Sequence, residues 1–312
     1  MKFGVYLPVY GGWLRRVTGE EPEVTFSHVM KVAQEAESLG FHSLWCPDHM
    51  LNPIKGDGEP CLEAWTTITA VAMATKRIRL AHTTLCQAFR YPAVLAKMAA
   101  TLDQVSGGRF ILSVGAGWFR REFDAYGIPW AEHDVLIDQA EEQMRLIKAL
   151  WTQEKVNFQG KYYHLQDALL EPKPVQKPRP PVWYGGESER SRQAAAREAD
   201  CWLMRGGSLE DTRAKIQDMQ GRLQGRKIEY ALPALVFLGP DDAQAENKLR
   251  ETSQGQASVL DHVLKTGLVG SGPRLVEKIR ALEALGISYI LLQFSQTLAG
   301  IRLFAQEVVA RL

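Results

Sequence analysis

Net charge, paired cysteines and long apolar runs are scarce in this sequence, and each shortage excludes a class of protein. Thirty-seven Lys and Arg residues against thirty-six Asp and Glu residues leave a formal net charge of +1, so no general field favours nucleic acid or an anionic membrane as a partner. The cysteines form no CxxC pair, which argues against a structural zinc site, and four cysteines in so long a chain do not make a disulfide scaffold. The four cysteines are Cys46, Cys61, Cys86 and Cys201.

Apolar runs of about 18 residues, the length that spans a membrane, are also absent from the sequence. The apolar stretch at the amino terminus is interrupted by Gly4 and Pro8, and no small-residue cleavage site follows it, so it does not resemble a secretory signal. Contents of 46% hydrophobic and 23% charged residues are ordinary for a globular chain. We therefore expect a soluble cytoplasmic protein without a membrane segment.

Familiar nucleotide and hydrolase motifs are missing too. Gly115-Ala116-Gly117 begins like a dinucleotide-binding turn, but Arg120 stands where the third glycine belongs. The sequence contains no phosphate-binding P-loop, no HExxH zinc motif and no G-x-S-x-G nucleophile elbow. The usual kinase, metalloprotease, esterase and nicotinamide-dehydrogenase interpretations therefore have no support, and no metal ligand is predicted.

Short β-prone runs alternate with longer helical patterns along most of the chain. Eight such runs are nearly all followed by a helix, which favours an α/β fold of the (β/α)8 TIM-barrel type over a doubly wound sheet. The predicted strands are residues 3–7, 43–46, 78–84, 110–114, 182–184, 201–203, 230–238 and 289–294. In such a barrel the functional residues lie at the carboxyl ends of the strands.

We expect residues 1–312 to form a single barrel domain with two insertions. Residues 154–181 combine a hairpin pattern with a proline-rich, extended stretch, and residues 239–268 form a helical, charge-rich insertion before the last barrel strand. Pro233 lies inside the seventh predicted strand and indicates a bulge or bend there.

The end of the fifth predicted strand is the first candidate binding site. Gly185 and Gly186 permit a ligand to approach the backbone closely, and the helix that begins after Ser188 presents unpaired amides to an anion. A phosphate site is one interpretation. A plain glycine-rich turn with Ser188 as the helix N-cap is the other, and these residues alone leave both open.

Titratable side chains follow the second and third predicted strands. His49 lies on the loop after the second strand and Cys61 near the same barrel mouth, while His82 and Arg90 belong to the region of the third strand end. A cysteine or histidine at such positions serves equally well as core packing or as a hydrogen-bonding residue of a loop. These side chains are therefore candidates without an assigned role.

Taken in order along the chain, several segments resemble the bacterial-luciferase-like flavin monooxygenases, and most closely the two-component alkanesulfonate and dimethylsulfone monooxygenases. The resembling segments are residues 102–109, 117–123, 127–130, 132–134, 150–152, 160–163, 172–176 and 184–186. Residues 61–65 resemble the segment that carries an active-site cysteine in the alkanesulfonate enzymes. The resemblance covers essentially the whole chain and implies the same (β/α)8 barrel.

The resemblance implies an enzyme that receives reduced FMN from a separate NAD(P)H-dependent flavin reductase and uses O2 to oxygenate a small organic substrate, organosulfur compounds included. It also implies a homodimer or homotetramer. The residues that it assigns to the FMN phosphate are Gly185, Gly186 and Ser188. The residues that it places against the flavin ring are Thr83, Thr84, Gly115, Ala116 and Gly117. In many relatives the peptide bond at the third strand end is cis, and the same is implied for Thr83–Thr84.

Six side chains around the expected barrel mouth are candidates to position or protonate the reacting groups, since donors aimed at developing charge give the largest catalytic effects. They are Tyr10, His49, Cys61, His82, Arg90 and His133. Cys61 and His49 are the first choices.

The sequence departs from the alkanesulfonate enzymes at positions that act on the substrate. Pro233 and Leu235 stand where those enzymes carry an Arg and a His, and Phe294 and Tyr10 stand where they carry a Tyr and a His. An alkanesulfonate substrate is therefore not expected.

Three other functions stay open. Residues 47–49, 65–67 and 115–118 also resemble the branch of the superfamily that transfers hydride with a deazaflavin coenzyme and without oxygen. A non-catalytic flavin-binding protein is the second alternative, because the seventh-strand groups are missing. A phosphate-binding barrel enzyme of another kind is the third, and it rests on the fold alone.

Overall fold

Parallel strands close into a barrel in the computed structural model, which describes residues 1–17, 19–21 and 23–312. The strands are β1 (Lys2–Tyr6), β2 (Ser43–Cys46), β3 (Arg79–His82), β4 (Leu85–Cys86), β5 (Phe110–Gly115), β6 (Val156–Gln159), β7 (His164–Ala168), β8 (Val182–Gly185), β9 (Cys201–Leu203), β10 (Glu229–Leu238), β11 (Leu268–Gly270) and β12 (Tyr289–Phe294). The helices are α1 (Phe26–Ser38), α2 (Ala64–Ala74), α3 (Pro92–Ser106), α4 (Arg120–Tyr126), α5 (His133–Thr152), α6 (Glu189–Glu198), α7 (Leu209–Arg222), α8 (Asp242–Thr252), α9 (Ala257–Thr266), α10 (Gly272–Ala284) and α11 (Thr297–Glu307).

Eight of the described strands form the ring. Parallel pairing runs β1–β2–β3–β5–β8–β9–β10–β12, and β12 pairs in turn with β1. The short strands β4 and β11 extend the sheet beside β5 and β10. The predicted (β/α)8 barrel is thereby confirmed, and its strands agree with the predicted ones to within about two residues.

Aromatic side chains fill the barrel interior. The rings of Trp45 and Trp183 lie 4.7 Å apart between centroids, and Trp183 lies at the same distance from Tyr289. A Cβ atom at Gly4 would stand only 2.4 Å from Nε1 of Trp45, so the glycine in β1 makes room for that indole. The interior is thus a packed core and not a channel, which leaves the strand ends as the place for a ligand.

Local capping sets the helix boundaries. Helix α2 begins at Ala64, because the Glu63 carboxylate accepts hydrogen bonds from the amides of Trp65 and Thr66. Helix α3 ends at Gly107, which adopts a left-handed conformation with φ of 66°. Helix α11 begins at Thr297, directly after Gln296, which adopts a left-handed conformation with φ of 56°.

Pro233 does not produce the expected bulge. Strand β10 keeps an unshifted register with β12 from Ala231 to Val236, and Pro233 stands opposite Leu291. On the other side, the pairing of β10 with β9 ends at Ala231. A proline is tolerated where one edge of a strand carries no ladder, and this explains why the strand stays regular.

The two insertions form local structure of their own. Strands β6 and β7 pair as an antiparallel hairpin, and residues 239–268 contain helices α8 and α9. Leu249 of α8 and Val263 of α9 pack with Leu14, Val17 and Phe237 in a second, smaller apolar cluster. This cluster joins the second insertion to the loop after β1, at the barrel mouth. None of the described helices is long and apolar enough to cross a membrane.

Candidate active site

The ends of β3, β5 and β8 meet at the side chain of Thr84. The peptide bond between Thr83 and Thr84 is cis, as the resemblance implies. A Cβ atom at Gly115 would lie 2.2 Å from Oγ1 of Thr84, and one at Gly185 would lie 2.8 Å from its Cγ2. The protein's own packing therefore requires both glycines. It also brings these four predicted cofactor residues together at the carboxyl end of the barrel.

Gly117 and Gly186 are also needed for packing. A Cβ atom at Gly117, where φ is +92°, would lie 2.8 Å from Sγ of Cys86, and one at Gly186 would lie 2.7 Å from Oγ of Ser191. Ala116 is buried beside them. These glycines thus serve contacts within the protein, and no ligand is needed to explain them.

Ser188 is the N-cap of α6, as the simpler interpretation has it. Its Oγ accepts a hydrogen bond from the amide of Ser191 at 3.2 Å, and its carbonyl oxygen accepts one from the amide of Arg192 at 2.9 Å. The amides of Glu189 and Arg190 have no hydrogen bond of this kind to the described residues. They are the donors at this helix end that an anion would meet.

A cavity of about 130 Å³ opens beside the strand ends. The loop after β2, the chain after β3, the turn after β5 and helix α4 all contribute to its wall. Among its lining residues are His49, Thr83, Thr84, Trp118, Phe119 and Glu122. The cavity therefore unites two predicted ring-binding residues with the first-choice histidine.

His49 is anchored at one edge of this cavity. Its Nδ1 lies 2.8 Å from Oε1 of Glu122. The imidazole meets the rings of Tyr10, Trp118 and Phe119 edge to face, with centroids 5.6 to 6.2 Å apart. These contacts hold the ring in one orientation and leave its side chain 15% exposed.

Glu122 is a buried carboxylate of α4 that holds the loop after β2. Besides the contact with His49, its Oε1 accepts hydrogen bonds from the amides of Met50 and Leu51 at 3.0 and 3.2 Å. Two amide donors and a ring nitrogen beside one oxygen offset the cost of burying the carboxylate. The position of His49 therefore depends on a helix some seventy residues further along the chain.

Arg90 is already engaged by two carboxylates. Its guanidinium binds Asp48 through two nitrogens, at 2.8 and 3.0 Å, and Glu63 at 2.9 Å. Oδ2 of Asp48 also accepts a hydrogen bond from the amide of Cys86 at 2.9 Å. The structure therefore places Arg90 as a tie between the chain segments after β2 and β3, with its charge neutralised.

Tyr10 and His82 are both buried, in different surroundings. The hydroxyl of Tyr10 has no partner among the described residues, and burial raises its pKa well above the usual value, so it stays a neutral donor. His82 stacks on Trp65 with centroids 5.1 Å apart and also meets Phe110. Burial lowers the pKa of His82 to about 4. The structure thus packs a neutral His82 against Trp65 of α2, and His82 does not line the cavity.

Cys61 and His133 occupy opposite kinds of position. The Cys61 thiol donates to the carbonyl oxygen of His49 at 3.3 Å. Burial, with a smaller effect of the Glu122 carboxylate, raises its pKa to about 12.

His133 is the first residue of α5 and is exposed. The structure therefore brings Cys61 next to His49 as a thiol, and His133 does not join them.

The raised pKa of Cys61 predicts slow alkylation of the folded protein. The pKa rises from 9 to about 12, so the thiolate fraction at pH 8 falls about 10³-fold. We expect the alkylation rate at Cys61, followed by mass spectrometry with iodoacetamide, to rise tenfold per pH unit between pH 8 and about 11. The stabilising contribution of the protonated thiol is present below pH 9 and is lost as the pH rises toward 12.

The urea-unfolded chain supplies the control for this measurement, since its cysteines react at the rate of free cysteine. A rate at Cys61 in the folded protein that matches this control at pH 8 would contradict the burial of the thiol.

Comparison with known proteins supplies the family. Residues 1–289 match the model of the luciferase-like monooxygenases. The chain belongs to this family. The expected enzyme class, a flavin-dependent monooxygenase and hence an oxidoreductase, is confirmed with it.

Two curated relatives and a solved structure illustrate the range of this luciferase-like family. The FMNH2-dependent dimethylsulfone monooxygenase of Pseudomonas putida is 29% identical, with 99% of this chain and 94% of the relative covered. The F420-dependent glucose-6-phosphate dehydrogenase of Amycolatopsis mediterranei (strain U-32) is also 29% identical, over 84% of this chain and 86% of the relative. A structure of riboflavin lyase with modified FMN and riboflavin has a TM-score of 0.88 at 17% identity and covers 100% of this chain and 91% of that chain. This last likeness shows the fold alone.

Sequence reasoning missed the residues that organise the mouth of this luciferase-like barrel. Glu122 lies inside a segment that resembles the family. Phe119 and Phe123 are close to it in the chain, and this apolar neighbourhood could have indicated that its carboxylate is buried. Asp48 adjoins His49 in the chain, which was a similar signal. Asn52 is fully buried and bonds the carbonyl oxygens of Tyr10 and Pro60. Nothing in its sequence context indicated this role.

Proposed function

We propose that this luciferase-like protein is an FMN-dependent monooxygenase that uses reduced FMN and O2 to oxygenate a small, uncharged organic molecule. The observation that carries the proposal is the cavity at the strand ends, which is lined by His49, Thr83 and Thr84 together. The 29% identity to an FMNH2-dependent dimethylsulfone monooxygenase over nearly the whole chain supports it.

The residues present fit a flavin mononucleotide. Thr83 and Thr84 both line the cavity, where their backbone and side chains offer polar groups to the edge of a ring. The amides of Glu189 and Arg190 at the start of α6 suit a phosphate. Thr83, Thr84 and the backbone of residues 115–117 would hold the ring, and Gly185, Gly186 and Ser188 would border the phosphate.

Bound FMN supplies the electrons and the oxygen chemistry, and the chain supplies positioning, donors and shelter from water. The Tyr10 hydroxyl stays protonated, because burial raises its pKa well above the usual value, and its ring packs edge to face against His49. His49 lines the cavity wall and offers an imidazole for proton transfer. Trp118 and Phe119 stack on each other beside it and give this side of the cavity an apolar wall.

The substrate is an uncharged molecule in this proposal, because two of the cations near the mouth are already paired with carboxylates of the protein. In the described part of the chain, Arg90 and Lys55 are both held in this way. Pro233 and Leu235 add no charge where the resembled alkanesulfonate enzymes carry an Arg and a His. Transfer of an anion into this site would leave its charge uncompensated.

Reduced FMN comes from a separate NAD(P)H-dependent reductase in this proposal, since the sequence shows no dinucleotide-binding motif. A homodimer or homotetramer, a cytoplasmic location and a single domain with two insertions stay predictions.

The test begins with anaerobic titration of the protein by reduced FMN and, separately, by the reduced deazaflavin F420. We expect tight binding of FMN. Oxygen and a flavin reductase are then supplied with dimethyl sulfone or with methanesulfonate, which is close to it in size but carries a negative charge. We expect oxygenation of the sulfone and a kcat/KM at least about 10²-fold lower for the sulfonate. Preference for the sulfonate would overturn the uncharged substrate.

A deazaflavin-dependent hydride transfer is the second candidate. The 29% identity to an F420-dependent glucose-6-phosphate dehydrogenase favours it. Tight binding of the deazaflavin alone, with turnover in the absence of oxygen, would establish this function in place of the first. Flavin binding without turnover under any of these conditions would instead indicate a non-catalytic flavin-binding protein.

A further inference from the structure

The hydrogen bonds around Glu122 decide which nitrogen of His49 carries a proton. Oε1 of Glu122 accepts from the amides of Met50 and Leu51. Amide groups of the backbone only donate, so this oxygen acts as an acceptor for all of its neighbours. The third neighbour is Nδ1 of His49 at 2.8 Å, and Nδ1 must therefore be the donor.

A neutral imidazole carries one proton, so a proton on Nδ1 leaves Nε2 with a free lone pair. Nε2 of His49 bonds none of the residues that the structure describes. Since the ring lines the cavity and is partly exposed, Nε2 is the nitrogen available to a ligand there. It can accept a hydrogen bond or a proton.

We propose that Glu122 is a positioning residue that fixes His49 as its Nδ1–H tautomer, so that Nε2 acts as the proton acceptor of the cavity. Glu122 acts through His49 and the loop after β2, which it ties to α4. The catalytic part of this inference rests on the proposed monooxygenase function, whereas the tautomer does not. Two readouts therefore separate them.

The first readout is imidazole NMR of the holoprotein and of the flavin-free chain, each labelled with ¹⁵N-histidine. His49 is identified as the signal pair that disappears in His49→Gln. We expect a protonated Nδ1 and an unprotonated Nε2 at a pH where the ring is neutral. A proton on Nε2 in the unsubstituted protein would overturn the inference directly, without any variant of Glu122.

Two variants of Glu122 test its part in this tautomer. Glu122→Gln keeps an acceptor oxygen that the amides of Met50 and Leu51 continue to orient, so we expect the Nδ1–H tautomer to persist. Glu122→Met removes the acceptor, and we expect the Nε2–H form to appear. Asp124→Asn removes an exposed carboxylate from the same helix, where it pairs only loosely with Arg120 at 3.6 Å, and is the matched control.

The second readout is the steady-state rate of oxygenation. We expect Glu122→Met to lower kcat about 10²-fold with a KM for reduced FMN within a few-fold of the original. Glu122→Gln should keep kcat within about tenfold, and Asp124→Asn should leave it unchanged. An unchanged kcat in a folded Glu122→Met would overturn the positioning role. The expected tautomer in a protein that oxygenates nothing would uphold the Glu122–His49 assignment while contradicting the proposed function.

Discussion

Lys55→Met is expected to lower the free energy of unfolding by about 3–5 kcal/mol, the usual cost of leaving a buried charge without its partner. Nζ of Lys55 binds a carboxylate oxygen of Glu20 and the carbonyl oxygens of Leu14 and Val17. The carboxylate of Glu20 is fully buried, and only 9% of the Lys55 side chain is exposed. Methionine fills similar space but provides no charge.

The effect is expected to reach the barrel mouth, because this ion pair joins three chain segments. Glu20 also accepts a hydrogen bond from the amide of Leu14 at 2.9 Å and from the hydroxyl of Ser295, after β12, at 2.8 Å. Lys55 lies on the loop after β2. Without the pair, the loop after β1 keeps its backbone bonds to Ile54 and Gln296 but loses the buried charge interaction with the loop after β2.

Urea unfolding measures this loss, and two further variants serve as controls. Lys155→Met breaks an exposed pair with Asp167 and is expected to cost no more than about 1 kcal/mol. The double variant Lys55→Met/Glu20→Gln removes both charges and should recover part of the stability. A Lys55→Met protein within about 1 kcal/mol of the original would show that the pair contributes little.

His49→Gln is expected to lower the rate of oxygenation, kcat, by about 10²–10⁴-fold, the range that a lost general acid or base produces. The glutamine amide can still donate to Glu122, which keeps the anchor that Nδ1 now provides at 2.8 Å. It offers no group that gains and loses a proton near neutral pH. The change therefore separates proton transfer from positioning of the loop.

Steady-state kinetics with reduced FMN and the preferred substrate test this expectation. His164→Gln alters an exposed histidine of β7 in the hairpin and should leave kcat unchanged. Binding of reduced FMN, measured by anaerobic titration, should stay within a few-fold in both variants, because the cofactor residues are untouched. If kcat of His49→Gln equalled that of His164→Gln, His49 would not be the proton-transfer group.

Much of the secondary structure could be predicted from the sequence. Alternating apolar patterns and glycine stops are local signals, and they gave residues 43–46, 201–203 and 289–294 with the bounds that the structure shows. Pro233 was misjudged, because whether a proline disturbs a strand depends on the length of the neighbouring strand β9. That length is a property of the assembled sheet and not of the proline's own neighbourhood.

The candidate site could be predicted only in part from the sequence, because a family resemblance indicates which positions matter but not which residues they contact. Thr83, Thr84 and Gly115 were foreseen at the mouth, but the reason for the glycine, a threonine side chain in the space of its Cβ, was not. Arg90 was one of six candidates to position or protonate the reacting groups, and the structure shows it bound by two carboxylates. Such pairing involves residues far apart in the chain and leaves no periodic trace in the sequence.

The alternation of strands and helices in the sequence determined by itself the kind of fold. The low net charge, the lack of CxxC pairs and the lack of long apolar runs determined which kinds of partner to exclude. Composition, net charge and hydrophobic periodicity can all be read from the sequence without knowing which residues are in contact. The tertiary structure decided that Glu122 meets His49 and that Lys55 meets Glu20. Those pairs form because closing the barrel brings the loops after β1 and β2 and helix α4 to one mouth, where a buried charge must find its partner.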